Sequence, residues 1–170
     1  GITKGCGTSP LIYCPSGTIS RAEMAVFIER AKRGESFTGT ATGTTFADVP
    51  AGHWAGGQIE QLYVDRFTLG CATGPLRFCP DSKVTRAEMA VLLMRAKYGS
   101  TFNPGTASGS LFGDVPVSYW AAAWIERAFQ YGLMPGCGTS PLRFCPDSLL
   151  PRSEMATLLI NTFNLSTVPL

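Results

Sequence analysis

A threefold internal repetition restricts the fold more than any other feature of this chain. Gly5-Cys6-Gly-Thr-Ser-Pro10-Leu-Ile-Tyr-Cys14-Pro15 returns as Gly70-Cys71-Ala-Thr-Gly-Pro75-Leu-Arg-Phe-Cys79-Pro80. It returns again as Gly136-Cys137-Gly-Thr-Ser-Pro141-Leu-Arg-Phe-Cys145-Pro146. The copies are offset by 65 residues (6 to 71) and 66 residues (71 to 137). A period this long marks supersecondary units that stack and bury their apolar faces against one another. One such unit alone would have a poor core. The 170 residues are therefore expected to form one composite domain, with function in the grooves between units.

Composition removes several classes. Apolar content of 45% suits a packed core, and the net charge of +2 is too small for a dedicated nucleic-acid binder. The single histidine, His53, excludes a His-rich metal centre. No apolar run reaches the eighteen or so residues that a spanning helix needs, so no membrane insertion is expected. Enzyme templates also fail. The one histidine leaves no Ser–His–Asp set, and no phosphate-binding glycine loop occurs. Glu60 and Glu126 are equivalent positions of two repeats and not a converging pair. Catalysis wants one asymmetric constellation, so the chain is read as non-catalytic and without a cofactor.

The six cysteines fall into three pairs with seven residues between partners. Zinc ligands favour two to four. Local disulfides Cys6–Cys14, Cys71–Cys79 and Cys137–Cys145 are preferred over buried thiols or cross-pairing. Each would contribute roughly 2–3 kcal/mol by closing its loop, and together they imply an oxidising, extracellular setting.

The chain divides into a partial repeat A (1–33), a linker (34–45), repeat B (46–99), a linker (100–111), repeat C (112–164) and a tail (165–170). Repeats B and C open on Phe46-Ala-Asp48-Val-Pro and Phe112-Gly-Asp114-Val-Pro. A first helix is expected from Trp54 to Val64 and from Trp120 to Tyr131. Gly56-Gly57 weakens the former by up to about 2 kcal/mol. After each cysteine loop a second helix is expected: Arg21–Lys32, Arg86–Lys97 and Arg152–Asn161. These are apolar almost all round, which marks them as buried. Ser20 with Glu23, and Thr85 with Glu88, spell capping boxes; Pro151 removes the third. The Gly-, Ser- and Thr-rich linkers read as exposed loops. Gly1 aligns with Gly132, where a left-handed glycine ends the first helix of repeat C. Repeat A thus lacks a first helix in this sequence. A longer parent protein, a neighbouring chain that supplies the helix, or a capping half-repeat would each account for it.

Arg21, Arg86 and Arg152 are the candidate functional residues. Each stands in the first turn of a helix, the electrostatically wrong end for a cation. Three equivalent cases need a common reason. One is a salt bridge, with Asp48, Asp114, Glu60 and Glu126 as candidate partners. The other is an anion pocket in which helix-start amides and a guanidinium fork meet a ligand carboxylate or phosphate. Trp54 and Trp120 fit either the core or a flat platform under a sugar ring.

Phe46-Ala-Asp-Val-Pro, His53-Trp-Ala, Ile59-Glu60 and Thr85-Arg-Ala-Glu together resemble the S-layer homology (SLH) repeat of bacterial cell-surface proteins. So do Phe112-Gly-Asp-Val-Pro, Tyr119-Trp-Ala, Ile125-Glu126 and Pro151-Arg-Ser-Glu, and Ser20-Arg-Ala-Glu carries the resemblance in repeat A. The resemblance implies a mainly α, pseudo-threefold fold, with first helices in a central bundle and second helices outside as prongs. It also implies noncovalent anchoring at the bacterial cell surface through acidic, pyruvylated cell-wall polysaccharide. The ligand contacts carried over are Arg21, Arg86, Arg152, Asp48, Asp114, Trp54 and Trp120. Polymerisation into an extracellular filament, sheath or surface layer through the incomplete repeat A is the alternative.

Overall fold

The computed structural model describes residues 2–166. In chain order the elements are β1 (Gly7–Thr8), β2 (Leu11–Ile12), α1 (Arg21–Arg33), α2 (Gly56–Val64), β3 (Ala72–Thr73), β4 (Leu76–Arg77), α3 (Arg86–Tyr98), α4 (Ala122–Gln130), β5 (Gly138–Thr139), β6 (Leu142–Arg143) and α5 (Arg152–Phe163). The expected turn at Gly1 and the tail beyond Ser166 lie outside the described residues.

The strands form three two-stranded antiparallel hairpins, pairing Gly7 with Ile12, Ala72 with Arg77 and Gly138 with Arg143. A disulfide closes each hairpin: Cys6–Cys14, Cys71–Cys79 and Cys137–Cys145. These hairpins correct the expectation of a mainly α fold, since helices take only 34% of the described residues. Glycine, proline and two cysteines within each loop disfavour helix and favour tight turns.

A second correction concerns the layers. The resemblance puts the first helices at the centre, but the second helices α1, α3 and α5 meet one another there. α2 packs on α1 and α4 packs on α3, both from outside. The physical reason lies in the apolar circumference of the central three. Met24, Ile28, Met89, Leu93, Met94 and Leu158 are fully buried. α4 is amphipathic instead, with Ala122, Ile125 and Ala128 inward and Gln130 toward the outside.

The three repeats are tied in a closed ring. The Ile19 amide donates to the Leu150 carbonyl, Leu150 to Val84, and Val84 back to Ile19, at 3.1, 2.9 and 3.2 Å. All three residues have no exposed surface. The amides of Arg21, Arg86 and Arg152 then donate to Ser82, Ser148 and Gly17 of the next repeat at 2.8–2.9 Å. The first two orphan donors of each central helix are thus met by a neighbouring repeat. Both capping boxes form, and α5, beginning at Pro151, has no side-chain cap.

The linkers are clamped and not free loops. Glu60 accepts from the Thr42 and Gly43 amides at 2.8 Å, and Glu126 accepts from Ser108 and Gly109 at 2.7 and 2.9 Å. Both glutamates are buried. For Glu126 the largest influence is desolvation, which raises its pKa. The Ser108 and Gly109 hydrogen bonds and the Arg127 charge together outweigh it and leave the group below the ordinary glutamate value. A depressed carboxylate stabilises the fold above the unfolded pKa, and that stability is lost as pH falls through the folded pKa. Glu126→Gln is therefore expected to cost about 1–2 kcal/mol near neutrality. In urea titrations at a series of pH values, the difference from the parent chain should shrink toward zero below the carboxylate range. A difference independent of pH would contradict this assignment.

Candidate binding groove

The three repeat-start arginines are buried, at 7%, 5% and 4% exposure for Arg21, Arg86 and Arg152. Each reaches into the next repeat around the ring. Arg21 Nε donates to the Phe78 carbonyl and Arg86 Nε to Phe144, both at 2.8 Å, and Arg152 Nε donates to Tyr13 at 3.0 Å. Each guanidinium also lies over the ring of that same aromatic, at 4.9, 4.7 and 5.3 Å. Tyr13 returns a hydrogen bond from its hydroxyl to the Arg152 carbonyl at 2.9 Å.

The carboxylates that pair with them are Glu88 for Arg21 (3.1 Å), Glu154 for Arg86 and Glu23 for Arg152 (2.8 Å). None of the four partners expected from sequence takes this role. Glu23 serves twice: one oxygen accepts from the Ser20 amide at 2.8 Å, the other from Arg152. Glu88 does the same for Thr85 and Arg21. Burial lowers the pKa of Arg21 and Arg86 from the usual arginine value, against the pull of neighbouring carboxylates. The helix-start amides beside them are engaged by backbone carbonyls and capping side chains. An anion would meet the edges of these guanidinium groups and no free amide cradle.

Asp48 and Asp114 clamp the hairpins. Asp48 accepts from the Phe78 and Cys79 amides at 2.8 Å, and Asp114 from Phe144 and Cys145 at 2.8 and 2.7 Å. The aromatic that opens each repeat supports this joint: Phe46 meets Phe78 and Phe112 meets Phe144, both with ring centroids 5.5 Å apart. The sulfurs near each aspartate belong to disulfides and offer no thiolate to a metal.

Trp54 and Trp120 stand just before α2 and α4 and are 64% and 62% exposed. They are not core. His53 stacks beside Trp54 at 5.8 Å, and Tyr119 lies beside Trp120 at 6.0 Å. Trp124 is half-buried against the Arg95 guanidinium at 5.2 Å.

Trp54 and Arg152 come together in one open cavity of about 340 Å³, where the start of repeat A faces α1 and α2. Thr3, Lys4, Glu23, Arg30 and Gln58 complete its polar side-chain lining, Thr3 accepting from Arg152 Nη2 at 3.0 Å. Lys4 is exposed. Arg30 gives Nη1 to the Ile2 carbonyl at 3.3 Å, and its Nε has no partner among the described residues. Arg86 borders a second cavity of about 470 Å³ with Pro135, Glu154 and Thr157.

Repeat equivalence ranks the grooves by charge. Lys4 and Arg30 of the first groove correspond to Leu69 and Arg95 in the second, and to Pro135 and Asn161 in the third. Gln58 corresponds to Trp124. Only the first groove adds two cations to its ring arginine. Reading the repeats for likeness picks out Arg152 and Trp54 and passes over Lys4, Arg30 and Gln58. The signal for these three is the opposite one, a place where the repeats differ in charge.

No family model matches the chain. Curated relatives do. The chain is 28% identical to a cellulosome-anchoring protein of Acetivibrio thermocellus over 87% of its own length. It is 31% identical to the S-layer protein EA1 of Bacillus anthracis over 74%, and 33% identical to a cell surface protein of Thermoanaerobacter kivui over 66%. It spans only 32%, 14% and 14% of those proteins.

Proposed function

The chain belongs to the S-layer homology repeats of bacterial cell-surface proteins, and from that premise we propose that it is the part of a longer protein that holds it to cell-wall glycan. The module works outside the cell, at the bacterial surface. Its ligand is an acidic secondary cell-wall polysaccharide whose carboxylates, such as those of a pyruvate ketal, enter the first groove.

One observation carries this reading. The first groove joins an exposed indole to two cations without a carboxylate partner among the described residues, Lys4 and Arg30, beside the paired Arg152–Glu23. An exposed tryptophan face packs against the apolar C–H face of a sugar ring. The neighbouring cations then meet its acidic substituent through charge-assisted hydrogen bonds. Arg21 and Arg86, with Trp120, define the weaker equivalents. Asp48 and Asp114 support the grooves by holding the hairpins in place.

Calorimetric titration of the chain with purified wall polysaccharide tests the site. Trp54→Ala and Lys4→Gln change exposed side chains, so the fold should be retained. Each is expected to weaken binding about tenfold, as the loss of a single good contact does. Trp120→Ala should have the smaller effect. Equal losses for Trp54→Ala and Trp120→Ala would reject the ranking, and unchanged affinity in all three variants would reject the groove. The alternative of a surface-layer subunit gains support from one observation: among the described residues no outer helix covers α5, and its Ile160 is 37% exposed.

A further inference from the structure

The two outer-helix joints are built from opposite chemistries. Where α2 meets α1, Arg33 bridges the buried Glu29 to Asp65, and Gln61 donates to Asp65 at 2.8 Å. Gln58 donates to the Phe37 carbonyl at 3.1 Å. Where α4 meets α3, Tyr98 stands at the position of Arg33, Tyr131 at that of Asp65 and Trp124 at that of Gln58. Tyr98 packs on Tyr131 and on Phe102, both at 5.3 Å, and Phe102 reaches Trp124 at 6.1 Å. An ion pair across one joint is thus a pair of tyrosines across the other.

The core does not require this exchange. Tyr98 and Tyr131 are 42% and 46% exposed, and neither hydroxyl makes a hydrogen bond among the described residues. Exposed rings gathered at one place mark a contact surface.

The surroundings select the ligand. The aromatic patch begins at the second groove, where Trp124 lies against Arg95 at 5.2 Å, and runs through Phe102 to Tyr131. A polymer lying in that groove would continue over it. Beyond Tyr131 the Arg127 guanidinium lies over the ring at 5.9 Å and leads into a polar cavity of about 240 Å³ with Thr106, Ser108, Glu126 and Gln130. Arg127 gives Nε and Nη2 to the Pro104 carbonyl at 3.2 and 3.0 Å, and Nη1 to the Gln130 side-chain oxygen at 3.0 Å. Glu126 lies close enough to offset its charge. Unlike the first groove, this surface holds out no spare cation to an acidic group. It offers ring faces beside hydroxyls and the Gln130 amide, the complement of a sugar with an apolar C–H face and a hydroxyl rim. We propose that Tyr98, Phe102 and Tyr131 form a separate subsite for uncharged sugar residues of the polymer, a proposal that rests on wall glycan being the ligand.

The test grafts the chemistry of the other joint. Tyr98→Arg with Tyr131→Asp reproduces the Arg33–Asp65 pair and leaves the net charge unchanged. It also sets a cation over Phe102, as Arg33 lies over Phe37 at 5.3 Å. Calorimetric titration is run with native wall polysaccharide and with the same polymer after reduction of its carboxyl groups. The double variant is expected to weaken binding of both polymers by the same factor, about tenfold. Tyr131→Ser, a change at an exposed side chain, should give a smaller loss of the same kind. Lys4→Gln should weaken the native polymer alone. Unchanged affinity for both polymers in both tyrosine variants would overturn the proposal, and so would a loss confined to the native polymer. A parent dimer in sedimentation that the double variant dissolves, with both affinities unchanged, would also overturn it, because a second copy would be the occupant. The first groove is judged separately. If Trp54→Ala and Lys4→Gln bind as the parent does while the tyrosine variants lose affinity, that groove fails and this subsite stands.

Discussion

Arg86→Met is expected to lower stability by about 3–5 kcal/mol, the usual cost of breaking a buried ion pair from one side. Arg86 turns all three of its side-chain nitrogens to the neighbouring repeat: Nε to the Phe144 carbonyl, Nη2 to Pro135 and Nη1 to Glu154. Methionine can fill the volume over the Phe144 ring but replaces none of these donors. Two carbonyls and a carboxylate at the repeat B–C joint then lose their partner. Domains of this size are stable by only about 5–15 kcal/mol, so the loss takes a large fraction of the total. Chemical denaturation monitored by tryptophan fluorescence measures it. Adding Glu154→Met should restore part of the loss, because the stranded carboxylate goes with its partner. A variant as stable as the parent would mean that the ring is not held by these pairs. The same argument bars alanine at any of the three arginines as a binding test, since fold and affinity would fall together.

Gly57→Ala is expected to destabilise by about 2–3 kcal/mol, although helix propensity alone predicts a gain of about 1 kcal/mol. A Cβ at Gly57 would lie 2.2 Å from the Thr38 carbonyl oxygen and 2.6 Å from the Gly39 carbonyl carbon. Both are backbone atoms of the clamped linker, so no side-chain rotation relieves the overlap. The linker would have to lift and loosen the Glu60 hydrogen bonds behind it. Repeat C carries Ala122 and Ala123 at the two glycine positions, and Ala123→Gly should cost only the helix-propensity difference of about 1 kcal/mol. Thermal melts of the two variants settle the sign. A more stable Gly57→Ala chain would show that the linker is not held against α2.

These residues also show what a sequence reveals and what it hides. The triplication, the disulfide pairs and the burial of the second helices were legible because each leaves a local mark: equal spacing, or an apolar stripe with no polar side. The hairpins were not legible as strands, because two-residue pairs fall below any periodicity signal. The inverted layer order came from the resemblance. The unbroken apolar surface of Met89 to Met94 already pointed the other way. Gly56-Gly57 looked like a weak helix start because the cost was visible and the crossing linker was not. The arginine partners stayed hidden for a different reason. Glu23, Glu88 and Glu154 sit two residues from an arginine in their own repeat and pair with one in another. A capping box accounts for two of those glutamates completely, so nothing asks for a second role.

The central claim is that an acidic glycan is read in the first groove by the indole of Trp54 with Lys4 and Arg30. Its most direct test is calorimetric titration of the chain with native wall polysaccharide and with the same polymer after its carboxyl groups are reduced to alcohols. The account predicts at least a tenfold loss of affinity on reduction in the parent chain, and a much smaller loss in Lys4→Gln, where part of the charge recognition is already gone. Equal affinity for the native and reduced polymers would contradict it.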